Sequence, residues 1–193
     1  YGERPVNIKF IFEGEEEVGS PHLQFFAANY SEKLRTDAII WEGGSRGVED
    51  KRPHVGLGVK GISYVELVCK GAKTDLHSSE AAIIENPAWR LVWALSTLKD
   101  KEENILIDQF YDDIAPLTER ERTFIQSMYF DEEYTKELYG IKEFLKGVTG
   151  EKLKEALTAE PTCTICGIES GYTGEGSKTV LPSVAKVKLD FRL

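Results

Sequence analysis

Histidine and cysteine are scarce, with three of each in 193 residues. Cys69, Cys163 and Cys166 cannot pair off into an even disulfide framework. Cys163-Thr164-Ile165-Cys166 is a lone CxxC. A zinc ribbon needs a second such pair, and a redox pair belongs at the start of a helix in a thioredoxin-like setting. The chain offers neither, so the pair reads as two small residues of a partly buried segment. No apolar run approaches the ~18 residues that span a bilayer, and no signal peptide opens the sequence. The expectation is a cytoplasmic protein with no membrane partner. Basic residues are outnumbered, with Lys+Arg 24 against Asp+Glu 33 and a net charge of −9. Without a basic tract a nucleic-acid partner is not expected, because phosphate neutralisation dominates that affinity. Gly43, Gly44 and Gly47 miss the GxGxxG spacing, which gives a phosphate cradle little support.

What is present is globular in composition, with 41% hydrophobic and 30% charged residues. The length allows one large or two small domains. The most informative stretch is Phe10-Ile11-Phe12-Glu13-Gly14-Glu15-Glu16-Glu17-Val18-Gly19-Ser20-Pro21. Four acids in five positions repel one another unless cations neutralise them or water screens them. Val6, Ile8, Phe10 and Phe12 alternate, which predicts a strand over 5–12 ahead of the acids. Ser20 and Pro21 suit the start of a helix. Leu23, Phe26, Ala27, Tyr30 and Leu34 continue it at helical spacing to about residue 35. Asp37–Trp41 reads as a short buried strand, which makes a βαβ unit with parallel strands. That topology puts Glu16, Glu17 and Glu42 at one edge of the sheet, where open α/β sheets bind ligands.

A Gly- and charge-rich loop over 43–53 marks the expected domain boundary. His54–Val59 and Ile62–Lys70 read as strands around Lys60-Gly61. Asn86 caps and Pro87 opens a helix that carries Ala88, Leu91, Val92, Leu95 and Leu98 on one face. Trp89 and Trp93 extend that face, and a core position is expected for both, with an exposed seam at a dimer interface as the alternative. Residues 100–160 are polar and helix-prone, with helices expected over Glu132–Lys146 and Glu151–Leu157. A last strand turns Ala185, Val187, Leu189, Phe191 and Leu193 one way, and Lys186, Lys188, Asp190 and Arg192 the other.

Three of these stretches carry a resemblance. Glu-Gly-x-Glu-Glu-x-Gly-Ser resembles the glutamate motif of the co-catalytic di-zinc metallopeptidases. These include aminoacylase, carnosinase, carboxypeptidase G, acetylornithine deacetylase and succinyl-diaminopimelate desuccinylase. Asp75-Leu76-His77-Ser78 resembles the motif of that family's lid domain, with Ser79 and Ala81-Ala82 where glycines are usual. Lys178-Thr179-Val180-Leu181-Pro182 followed by Phe191-Arg192-Leu193 is similar to the end of the lid. The resemblance implies that Glu16 is the general base, and that Glu17 and Glu42 are ligands to two zinc ions per subunit or to other divalent metals. It implies that His77 stabilises the oxyanion in the partner subunit's site, while Thr179 and Arg192 hold the substrate carboxylate. A guanidinium fork suits that last task.

The expected fold class is α/β. Residues 1–53 would be part of a parallel-sheet zinc-peptidase catalytic domain. Residues 54–193 would be an α+β lid and dimerisation domain with an antiparallel sheet and a helical insertion at about 100–160. The expected function is hydrolysis of an amide near a free carboxylate by a dipeptidase or carboxypeptidase that forms a homodimer. The long insertion resembles the dipeptidase and carnosinase branch more than the short-lidded deacylases. The other readings are an N-acyl-amino-acid deacylase of the same superfamily and a non-catalytic dimerisation module. The chain opens at Tyr1 and closes within an alternating strand, and it lacks the His-x-Asp that the family requires. It is therefore expected to be an incomplete, inactive piece of a longer enzyme.

Overall fold

A computed structural model describes residues 5–40, 44–46, 51 and 53–193, with backbone only for 44–46. The described residues divide into two compact units, one running to Arg46 with Pro53–Val55 and the other from Gly56 to Leu193.

In the first unit, Glu16–Val18 forms a 3₁₀ turn, followed by α1 (Leu23–Asn29) and α2 (Ser31–Leu34). The single helix expected over 21–35 is thus broken at Tyr30, whose φ of −124° lies outside the helical range. Ser20 does not cap it. An N-cap residue sits in the β region, whereas Ser20 has φ 52° and the residue before α1 is His22. Two short strands, β1 (Gly44–Arg46) and β2 (Pro53–Val55), pair antiparallel. The strand expected over His54–Val59 therefore stops at Val55.

The parallel pair expected from 5–12 and 37–41 is not formed among the described residues, since neither 5–12 nor 37–40 joins a ladder. Trp41 lies outside them. Alternation records which face of a segment is to be covered, but a strand also needs a neighbour for its hydrogen bonds. Phe10 and Phe12 do stack at 6.3 Å, as side chains two apart on an extended segment can. Phe12 is 91% and Ile40 99% exposed, so both segments carry apolar surface that nothing in this unit covers.

The second unit is built on a three-stranded antiparallel sheet. Its strands are β3 (Ile62–Lys70), β5 (Thr162–Ser170) and β7 (Val184–Arg192), in the order β3-β7-β5. A two-residue ladder joins β4 (Leu76–His77) to β6 (Val180–Leu181). The pairings Val65↔Leu189, Leu67↔Val187 and Cys69↔Ala185 bring the apolar rows of β3 and β7 onto one face. That face packs against α3 (Pro87–Ser96), whose Leu91 is 1% exposed. Leu189, equally buried, contributes about 1.5–3 kcal/mol by leaving water. Asn86 caps α3 as expected, its Oδ1 accepting from the Ala88 N–H at 2.8 Å.

Trp89 and Trp93 are not in the core. They stack at 6.0 Å on the outer side of α3, 58% and 59% exposed. Leu91 and Leu95 already fill the buried stripe, and a shift of one or two positions carries a side chain round to the outer side. Strand β5 was not evident in the sequence. A bulge between Ile165 and Gly167 shifts its pairing with β7 and breaks the alternation that would reveal it.

The insertion folds as α4 (Glu119–Ser127), α5 (Glu132–Tyr139) and α6 (Gly150–Ala159). Helix α5 ends at Tyr139, short of the expected Lys146, because Gly140 adopts φ 67° as a left-handed cap. Helix α4 opens with a capping box between Thr118 and Glu121. It meets α6 through Arg122–Glu155 at 2.9 Å and a Lys154 bond to the Gln126 carbonyl.

Hydrogen bonds hold three carboxylates below their ordinary range: Glu121 from Thr118, Asp100 from Asn104 and Asp75 from Ser183. A folded pKa below the unfolded one gives stability that is present above the unfolded value and lost as pH falls through the folded one. Their ordinary values are 4.5, 3.8 and 3.8. The thermal midpoint of the chain is expected to stay level above that range and to fall on acidification below about pH 4. Circular dichroism melts across that range check it.

Candidate functional site

The β4–β6 ladder carries His77 and, just before β6, Thr179. The ladder can form because the loop leaving β3 lies tight against the start of α3. A Cβ on Gly71 would meet Pro87 Cδ at 2.9 Å, so glycine is required there. The Gly71 N–H donates to the Ser183 carbonyl at 2.8 Å, and the Ser78 N–H to the Thr179 carbonyl at 3.2 Å. His77 then stands opposite Val180 in the register.

The His77 ring is held from both sides. Nδ1 accepts from the Ser79 N–H at 3.2 Å, with the Ser79 hydroxyl at 2.9 Å. A nitrogen that accepts an N–H has its lone pair free, so the proton of the neutral ring is on Nε2. That Nε2–H donates to Thr179 Oγ1 at 3.0 Å. The Thr179 hydroxyl hydrogen is then left to point elsewhere. The result is a chain of donors ending in an exposed hydroxyl, suited to an anionic oxygen.

Arg192 is not beside this pair. It ends β7, whereas Thr179 precedes β6, ahead of the other end of β7. At about 3.3 Å per residue, β7 itself is roughly 26 Å long. The Arg192 Nε donates to Asp190 Oδ1 at 3.0 Å, which fixes the guanidinium while leaving its outer nitrogens available. Nearby, Lys60 Nζ donates to the Glu160 carbonyl at 2.6 Å, closing the end of α6. Partial burial pulls the Lys60 ammonium below its usual range, with Arg192 adding to the shift and Glu160 opposing it. Asp190 shares a face of β7 with Lys186 and Lys188, yet it is 9% exposed. Its bond to Arg192 accounts for a buried carboxylate there.

In the first unit, Glu16 and Glu17 head the 3₁₀ turn with exposed side chains and no hydrogen-bond or ion-pair partner among the described residues. Glu15 is already engaged, because both its oxygens contact His22 Nδ1, at 3.0 and 2.8 Å. Glu42 lies outside the described residues. Carboxylate oxygen suits zinc and other hard or borderline divalent ions. Two carboxylates are nevertheless fewer than a metal site needs, and no group of three His, Cys, Asp or Glu gathers among the described residues. The donors fit in kind, and they form only part of a set.

Both cysteines of the CxxC are free. Cys163 faces the core opposite Phe191, while Cys166 sits exposed at the bulge. Burial also pushes the Cys163 thiol up, which opposes the thiolate that ligation requires. No helix among the described residues is long and apolar enough to cross a membrane.

Sequence reasoning placed Asp75 in the His77 motif and Ser79 as a departure from it without giving either a role, and it did not single out Ser183. The Asp75 Oδ1 accepts from the Ser183 N–H at 2.8 Å and from its hydroxyl at 2.7 Å. The available signal was Asp75 two positions before His77, but its partner lies 108 residues away.

Comparison with known proteins places these features in context. The family described as "Peptidase dimerisation domain" matches residues 57–193. A beta-Ala-His dipeptidase of Rattus norvegicus is 32% identical over 98% of this chain and 39% of its own length. A Cys-Gly metallodipeptidase of Candida albicans is 33% identical over 98% of this chain and 39% of its own length. Among solved structures, an M20 family metallo-carboxypeptidase from Sulfolobus solfataricus superposes with TM-score 0.87 and 46% identity, over 94% of this chain and 41% of that one. Human carnosine dipeptidase 1 gives TM-score 0.77 and 30% identity over 99% of this chain and 41% of its own. The chain thus spans about two fifths of the length of the curated relatives it matches.

Proposed function

This chain belongs to the M20 peptidase family through its dimerisation domain, and on that footing we propose that the whole protein is a metal-dependent dipeptidase or carboxypeptidase. The substrate is a short peptide whose scissile amide lies near a free carboxylate. The reading is carried by the His77–Thr179 contact, which lines up donors for an anionic oxygen. The names of the relatives, dipeptidases and a metallo-carboxypeptidase, support the same substrate class.

Each residue has a role that its surroundings allow. Glu16, free of partners, takes the proton from the attacking water and returns it to the leaving amine. Glu17 would hold one of two metal ions and Glu42 the other, together with donors from the rest of the whole protein. We take the metal to be zinc, which when bound supplies Lewis-acid polarisation of the amide carbonyl. His77, whose Nε2–H rests on Thr179 Oγ1, turns that hydrogen to the oxyanion that develops on that carbonyl once substrate is bound. Thr179 of one protomer and Arg192 of the other bind the substrate carboxylate, Arg192 through the guanidinium nitrogens that Asp190 leaves open. The exposed apolar surface of 5–12 and 37–40 is covered by strands of a larger catalytic sheet. We place the domain boundary near residue 53.

The partner is a second copy, which the dimerisation domain and the exposed Trp89–Trp93 stack support. An aromatic pair of this size at an outer helix face is typical of interface anchors. W89D/W93D is expected to raise the monomer fraction of the whole protein at least ~10-fold, read by sedimentation, without loss of helix content.

Metal analysis with a peptide panel tests the function. About two metal ions per subunit and chelator-sensitive cleavage of dipeptides are expected of the whole protein. Preference for N-acyl amino acids would move it to the deacylases, and absence of both metal and cleavage would leave a dimerisation module. The 193-residue chain by itself is expected to be inactive, because its described donors make only part of a metal site.

A further inference from the structure

We propose that Asp75 is the positioning residue of the His77–Thr179 donor pair. The two residues meet across a ladder of only two pairings, Leu76↔Leu181 and His77↔Val180. Such a ladder is marginal when exposed to water, and His77 and Thr179 are both exposed. Something beyond the ladder must keep its strands in register.

Asp75 does so from one side. It lies two residues before His77, and Ser183 lies four residues after Thr179. The pair of bonds from Ser183 to Asp75 Oδ1 therefore closes a ring that contains both members of the donor pair. Both bonds run to an ionised acceptor, which makes them stronger than their neutral equivalents. The Ser183 hydroxyl in turn is the chief group holding the Asp75 carboxyl below its ordinary range, which agrees with that. The Gly71–Ser183 bond ties the same corner to the end of β3. With the register held, Ser79 sets the ring so that Nε2 rather than Nδ1 carries the proton. Without Asp75 the strands can shift by a fraction of an ångström to an ångström. A displacement of that size costs a catalytic contact about 10²-fold.

Both bonds end on one oxygen, so the proposal separates geometry from charge. Asn at position 75 keeps a carbonyl oxygen able to accept both donors, whereas Ala keeps none. The experiment is imidazole ¹⁵N spectroscopy of His-labelled whole protein, with the His77 signals assigned by their loss in H77Q, run beside kcat and KM for a dipeptide. In the unmodified protein His77 is expected to show the Nε2–H tautomer. D75A is expected to average the two tautomers and to lower kcat about 10–100-fold with unchanged metal content and circular dichroism. S183A is expected to fall between, and D75N to restore both readouts to within about three-fold. An unchanged tautomer or an unchanged kcat in D75A overturns the proposal, as does failure of D75N to rescue. The effect on turnover rests on the peptidase reading, whereas the tautomer does not. Absence of hydrolysis by the unmodified protein would defeat that reading alone and leave the spectroscopic test standing.

Discussion

Replacing Glu16 by Gln is expected to lower kcat of the whole protein by about 10²–10⁴-fold, the range that positioned general acid–base catalysis supplies. The amide keeps the size and hydrogen-bonding reach of the carboxylate but cannot take a proton. Metal content and KM should therefore hold while turnover collapses. Glu17→Gln should do the reverse first, weakening metal retention and losing activity as a consequence. The contrast rests on the local structure: Glu15 is tied to His22, while Glu16 and Glu17 have no partner among the described residues. Elemental analysis and steady-state kinetics on the two variants check it. Equal metal loss in both would assign Glu16 to the metal instead.

Mixing two inactive variants is expected to restore activity. His77 and Thr179 meet beside the β4–β6 ladder, ahead of the start of β7, and Arg192 ends that strand, whose length of roughly 26 Å exceeds that of a dipeptide. A site that uses them must take His77 and Thr179 from one protomer and Arg192 from the other. H77A and R192A homodimers should each lose about 10²–10³-fold in kcat/KM, since an oxyanion donor or a carboxylate anchor is gone. After subunit exchange, half of the dimers are mixed and each holds one intact site, which gives about a quarter of full activity. If both residues served from the same protomer, mixing would restore nothing. The assay needs only the two purified variants, mixed and unmixed.

Much of the second unit was legible in the sequence. Alternation in β3 and β7 marked the rows that pack on α3, because a strand with one covered face must alternate. Asn86-Pro87 marked the start of α3, because both residues act locally. The local code failed where a residue's state depends on what lies across from it. Trp89 and Trp93 fit an apolar stripe in sequence, yet Leu91 and Leu95 had taken the available core. Strand β5 was hidden by its bulge. Residues 5–12 carry the pattern of a strand without a neighbour to complete it.

The candidate site divides the same way. His77, Thr179, Arg192, Glu16 and Glu17 could be named from short motifs, because each motif lies within a few residues of chain. The tautomer of His77, the engagement of Glu15 by His22 and the Asp75–Ser183 clamp could not. By itself the sequence determined the family, strands β3 and β7 and the Asn86 cap of α3, and the chemical types at the site. The tertiary structure alone decided that His77 meets Thr179 and that Arg192 lies at the far end of β7. The first set depends on propensities and periodicities that act within a turn or a strand. The second depends on contacts between residues about a hundred positions apart, and only the closed sheet brings those together.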